Sequence, residues 1–141
     1  MGAASGVASA DSPNDFAVGG FQSAVAEQKI CSSAHSNGPN TEDAWGHMSD
    51  TLVATGQTGR WRVVCLAVSR SKASNGLEPQ NSAASDFGPL LLVVRDSGLP
   101  GGTGGMYEFV FTDPQECQSG LLTEPSFPIE NGNIDVYDAQ P

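Results

Sequence analysis

The sequence predicts an all-β protein, an antiparallel β-barrel or β-sandwich of seven or eight short strands. Seventeen Gly and nine Pro among 141 residues interrupt the chain too often for long helices. Apolar residues come as short β-branched runs, some alternating with polar residues and some continuous. Turn signals divide these runs: Ser36-Asn37-Gly38-Pro39, Asn75-Gly76, Pro100-Gly101-Gly102 and Asn131-Gly132. Such stretches escape water by stacking as sheets. The glycines and prolines keep no fixed period, which excludes collagen-like and solenoid architectures.

The first strand is expected over 15–22, where Phe16 and Val18 alternate before Gly19-Gly20. The second covers 29–36 and the third 47–53. The fourth, 60–69, is the strongest, with Trp61, Val63, Val64, Cys65, Leu66, Ala67 and Val68. A further strand lies near 71–77, and 90–95 is a continuous apolar run. Residues 106–112 place Tyr107, Phe109 and Phe111 on one face, and 133–138 alternate Ile134 with Val136. The continuous runs predict strands buried on both faces. Residues 21–29 have helical propensity for two turns, whereas 75–87 and 115–128 read as loops.

This length suits one domain with a core of its own, here 14–141. Residues 1–13 read as a flexible N-terminal remnant. They lack the basic and apolar regions of a signal peptide, yet Ala8-Ser9-Ala10 before Asp11 resembles the end of one. The expectation is a secreted protein whose signal peptide has been removed; the alternative is a cytoplasmic protein with a disordered tail. No stretch approaches the ~18 apolar residues of a membrane-spanning helix, so membrane insertion is not expected.

Sixteen acids against six bases give a net charge of −10. From Asp96 onward there are eight acids and no Lys or Arg. Nucleic acid, which needs a basic stripe, is disfavoured as a partner, and so is an anionic membrane surface. The acids read as a solvated surface, or as a field steering a cationic or neutral partner.

The cysteines are Cys31, Cys65 and Cys117. None forms a CxxC pair, which argues against structural zinc. An odd count allows at most one internal disulfide. Cys65, inside an apolar strand, and Cys117, in a Pro/Gly-rich return segment, are the expected pair, worth about 4 kcal/mol by chain entropy. Three reduced thiols in a cytosolic protein, the buried ones acting as small hydrophobes, are the competing reading.

Pairing the second and third strands as a hairpin sets Ile30 against Leu52 and Ala34 against Met48 on one face. It sets His35 opposite His47, Ser33 opposite Ser49 and Cys31 opposite Thr51 on the other, beside a loop carrying Glu42, Asp43 and Trp45. His35 and His47 are therefore the candidate catalytic residues, since imidazoles run acid–base chemistry near neutral pH. Two ligands are too few to imply a metal, so neither metal nor cofactor is expected. Trp45, Trp61, Tyr107 and Phe109, with Phe111, are candidates to line an apolar ligand pocket, or else form an ordinary aromatic core. The glycine-rich stretch 98–105 lacks the order and the Lys of a phosphate loop, and Asp86-Phe87-Gly88 matches a kinase tripeptide by letters alone. Glu130, Asn131, Asn133 and Asp135 lack calcium-loop spacing.

The order Phe16-Ala17-Val18-Gly19-Gly20, Ser33-Ala34-His35-Ser36, Gly46-His47, Val64-Cys65-Leu66-Ala67-Val68, Val94-Arg95-Asp96-Ser97-Gly98, Cys117 and Gly132 through Ala139 resembles a group of small exported actinobacterial β-proteins. The resemblance spans most of 15–139. It implies export, a β-sandwich or barrel, and a Cys65–Cys117 pair, and brings no catalytic residues with it. Cys31 departs from the group's pattern, where an apolar residue is usual. Two functions follow as expectations. One is a non-catalytic domain that binds a small apolar ligand or a protein partner. The other is a cofactor-free cyclase or isomerase that folds a hydrophobic natural product inside a barrel pocket.

Overall fold

In the computed structural model, which describes residues 14–23, 27–37, 43–96 and 105–139, eight antiparallel strands follow one another around a closed barrel. They are β1 (Phe16–Ser23), β2 (Gln28–Ser36), β3 (Ala44–Leu52), β4 (Thr58–Ser69), β5 (Lys72–Pro79), β6 (Leu90–Arg95), β7 (Met106–Val110) and β8 (Phe127–Tyr137). Each strand pairs with the next, and β8 pairs with β1. Closure decides for the barrel over the sandwich and removes the open sheet edges. Among the described residues two short helices, α1 (Ser82–Phe87) and α2 (Cys117–Gly120), lie between strands. The expected remnant 1–13 and most of the glycine-rich stretch lie outside the described residues.

An eight-stranded barrel is just wide enough for side chains to fill. Here Phe21, Ile30, Met48, Trp61, Leu66, Leu77, Leu92, Val94, Tyr107 and Ile134 do so, together with smaller neighbours. A second cluster lies outside the barrel wall. The segment 111–126 folds back so that α2 contacts β4, β5 and β6, covering Cys65, Ala67 and Leu91 with Cys117 and Leu121. Cys65 and Cys117 are disulfide-bonded, with Cα atoms 6.2 Å apart. Lys72 Nζ holds the same segment, donating to the carbonyls of Leu121 (2.7 Å) and Thr123 (3.0 Å) and to Glu124 (2.8 Å).

This cap explains the continuous apolar runs. One extra residue in β4, between Val63 and Cys65, shifts the register. Val63 and Leu66 thereby face the interior while Cys65 and Ala67 face the cap. Leu90 to Val94 are all buried, the even positions in the barrel and Leu91 beneath the cap.

Several local expectations are corrected. Asn75-Gly76 is no turn; both residues are buried inside β5. A Cβ at Gly76 would run into the Pro114 carbonyl and the Cys65 sulfur, so glycine is there to let the cap approach. Residues 75–87 are not a loop, because β5 runs to Pro79 and α1 follows. Asn81 caps α1: its Oδ1 accepts from the Ala84 N–H at 3.0 Å, and Gly88 ends the helix at φ +90°. The two helical turns expected over 21–29 do not form, since Phe21–Ser23 belong to β1 and Gln28–Lys29 to β2. Within 115–128, read as a loop, lie α2 and the start of β8. β8 begins at Phe127 instead of 133, and Asn131-Gly132 makes a bulge within it. Asn131 and Gly132 have φ of +51° and +157°, and a Cβ on Gly132 would strike the Gly20 carbonyl.

Candidate functional site: the outer face of β1–β4 and the α1 end of the barrel

β2 and β3 pair two residues away from the expected register. Ile30 faces Asp50, Ser33 faces His47, Ala34 faces Gly46 and His35 faces Trp45. Because side chains repeat every two residues, the shift keeps each residue on its expected face but changes every neighbour. Gly46 pins the pairing: at φ +136° it lies so close to the Ser33 carbonyl that no Cβ fits. His35 and His47 therefore share the outer face without being directly opposed. His35 Nε2 lies 3.2 Å from Ser33 Oγ, and its ring stacks on Trp45 with centroids 4.4 Å apart.

That stack belongs to a longer ladder. Tyr137, Phe16, His35 and Trp45 are successive register partners across β8, β1, β2 and β3. Their ring centroids are spaced 5.4, 6.3 and 4.4 Å. Cross-strand aromatics stabilise a sheet face. Trp45, at the end of the ladder, remains 51 % exposed.

Beside the ladder, small side chains leave a trough in the outer wall. One cleft of about 360 Å³ is floored by Cys31, Ser33 and Ser49 and bordered by His47 and Arg60. Through Ser33 and His47 it adjoins a cleft of about 390 Å³ between Trp45 and Arg62. Through Cys31 it adjoins a third, of about 300 Å³, beside Lys29, Gln22 and Asn131. Arg60 and Lys29 bring positive charge to the first and third, while Arg62 at the second is ion-paired with Glu78 at 2.6 Å, in a chain whose net charge is −10. The Cys31 thiol is free and exposed on this floor.

The aromatic candidates part company here. Trp45 is on the outside; Trp61 and Tyr107 are core residues, each 2 % exposed; Phe109 is half-buried against the core. Phe111 is exposed. Trp61 donates its indole N–H to the Gly88 carbonyl at 3.1 Å. Tyr107 meets Phe109 edge-on at 5.7 Å and Phe21 at 5.3 Å.

At the end of the barrel covered by α1 lies a buried polar chain that residue patterns did not single out. Tyr107 donates its hydroxyl proton to Gln28 Oε1 (3.1 Å), and Gln28 Nε2 donates to Asp50 Oδ2 (2.7 Å). Asp50 is only 9 % exposed, and its Oδ1 has no hydrogen-bond partner among the described residues. Burial pushes its carboxyl up to about 6. Burial also raises the Tyr107 phenol, and the nearby Asp50 charge adds to that shift. A signal for Asp50 existed: it shares the parity of Met48 and Leu52, an acid on the apolar face of a strand.

The sign of its pH effect follows. The folded state keeps the Asp50 proton in a window, about pH 4 to 6, where the unfolded chain has released it. Stability from this group is present below about pH 4 and is lost as pH rises toward 6, by up to about 3 kcal/mol. Asp50→Asn is therefore expected to gain stability relative to the wild type across that window and to hold the gain at pH 7. Urea denaturation of both proteins from pH 4 to 7 measures this; parallel pH profiles would refute it.

Among the described residues, no group of three or more His, Cys, Asp or Glu side chains comes together as a metal site, and no helix is long and apolar enough to cross a membrane. Comparison with known proteins finds no matching family model, no matching curated protein and no matching solved structure.

Proposed function

We propose that this is a secreted, non-catalytic binding domain that engages an acidic protein partner on the outer face of β1–β4. The observation that carries the reading is the trough, bordered by Lys29, His47, Arg60 and Arg62 and ended by exposed Trp45. Exposed Trp and Arg beside a concavity have the composition of an interface hot spot. Charge complementarity selects an acidic segment, because carboxylates on the partner would meet Lys29 and Arg60 here on a molecule that is otherwise strongly acidic. Export rests on the resemblance to exported actinobacterial β-proteins. A filled interior supports a protein partner over a small apolar ligand, the other half of the expectation.

The test is selection from a random peptide library displayed on phage, followed by titration of the winners. The expected winners are rich in Asp and Glu, bind less well as salt rises, and lose about tenfold or more in affinity on Arg60→Glu or Trp45→Ala. Neutral or basic winners, or acidic winners indifferent to both substitutions, would sink the reading.

The cyclase or isomerase alternative draws support from Asp50, a buried carboxyl poised near neutral pH beside a phenol. The room beside it is about 10 Å³, against ~300 Å³ or more for sites that enclose small molecules. That difference favours the binding reading.

A further inference from the structure

We propose that the cleft at the α1 end of the barrel binds the ammonium tip of a slender chain, a primary alkylamine or a lysine side chain, with Asp50 as its counter-ion. The site adjoins the first cleft of the outer trough through Trp61, but its acid, Asp50, lines this cleft and not the trough. Its walls are Asp50, Leu52, Gln57, Trp61, Ala83 and Phe87.

Asp50 supplies the reason. One carboxylate oxygen is satisfied by Gln28, while the other is buried, without a partner among the described residues, and part of a residue lining the cleft. A buried acceptor without a partner is costly, and an entering cationic donor removes that cost. Size selects the donor. The cleft has about 10 Å³, room for roughly one water-sized group. That suits –NH3⁺ and excludes a quaternary ammonium. The other walls suit the rest of such a ligand. The ammonium alone enters; outside it the half-buried Leu52 and Ala83 and the exposed ring of Phe87 offer apolar and π surface to the methylenes that follow. The net charge of −10 concentrates cations around the molecule.

The test uses n-butylamine hydrochloride at constant ionic strength, followed by the two indole N–H signals in NMR. The Trp61 signal is expected to shift saturably while that of Trp45 stays still. n-Butanol and tetramethylammonium chloride should leave both unmoved. Asp50→Asn should weaken the amine by about tenfold or more. Phe87→Ala, at a 53 % exposed position, should weaken it severalfold, and undiminished binding by this variant overturns the proposal if Asp50→Asn does not fold. Binding of a blocked Gly-Lys-Gly tripeptide as well assigns the site to peptide lysine; binding of butylamine alone assigns it to a free amine. No saturation up to about 100 mM butylamine, an equal response to butanol or tetramethylammonium, or undiminished binding by a folded Asp50→Asn would overturn the proposal. Asp50→Asn tests this cleft while Arg60→Glu and Trp45→Ala test the trough, so either result stands without the other.

Discussion

Replacing Cys65 and Cys117 together by alanine is expected to lower the unfolding free energy by about 4 kcal/mol, because the bond closes a loop with a sequence separation of 52 residues. The loss is expected to have a location as well as a size. The disulfide fastens the segment 111–126 over Cys65, Ala67 and Leu91, and beside it the segment is held by Lys72 and its partners, by the Arg95–Glu124 pair and by Ser126 on Glu108. Amide exchange should therefore accelerate first in α2 and on the cap side of β4 and β6, while the interior strands exchange only with global unfolding. Urea denaturation with hydrogen exchange measures both. Intact mass with and without reductant supplies the control, since the oxidised chain is two hydrogens lighter. A double variant as stable as the wild type would mean that the cap is held without the bond.

Trp61→Ala is expected to cost about 3–5 kcal/mol, the range for emptying a buried large aromatic site. Trp61 is 2 % exposed and joins three parts of the fold. Its ring fills the space that a Cβ on Gly59 would occupy, lies near Phe87 of α1, and donates to the Gly88 carbonyl. Losing it should loosen α1 from the barrel end as well as leave a cavity. Trp61→Phe keeps most of the volume and loses the hydrogen bond, so its cost should be much smaller, with about 1 kcal/mol of it from the unmade bond. Chemical denaturation measures the difference, and Trp45 remains as a fluorescent reporter in both variants. Equal costs for the two substitutions would show that the indole hydrogen bond, rather than packing, holds this end together.

The strands were legible because burial imposes a period. The run 90–95 coincides with β6, and the apolar positions of 60–69 with most of β4. The Cys65–Cys117 pair was legible too, because one residue lay in a strand and the other in a return segment. Elements failed to read where short-range signals carry two meanings. Asn75-Gly76 has the chemistry of a turn, yet it serves as a gap in a buried strand beneath the cap. Asn131-Gly132 has the same chemistry and makes a bulge. The tight connection between β4 and β5 runs through Arg70 at φ +58°, a residue that announces no turn. α1 was missed although Asn81 and Gly88 stand at the positions a cap and a stop require.

For the sites, the one-dimensional pattern was informative about faces and uninformative about neighbours. His35 and His47 were correctly placed on one outer face, but a two-residue difference in register gave His35 to Trp45 and His47 to Ser33. Composition and alternation settle which residues leave water, because burial of apolar surface depends on residue type and strand parity alone. That much, with the all-β class and the strongly acidic balance, belonged to the sequence by itself. Barrel closure, the aromatic ladder across β8, β1, β2 and β3, the cationic trough and the isolation of Asp50 were decided by the tertiary structure. Each depends on which strands meet and at what offset, and contacts as close as Gly46 against Ser33 set those offsets only once the chain has folded.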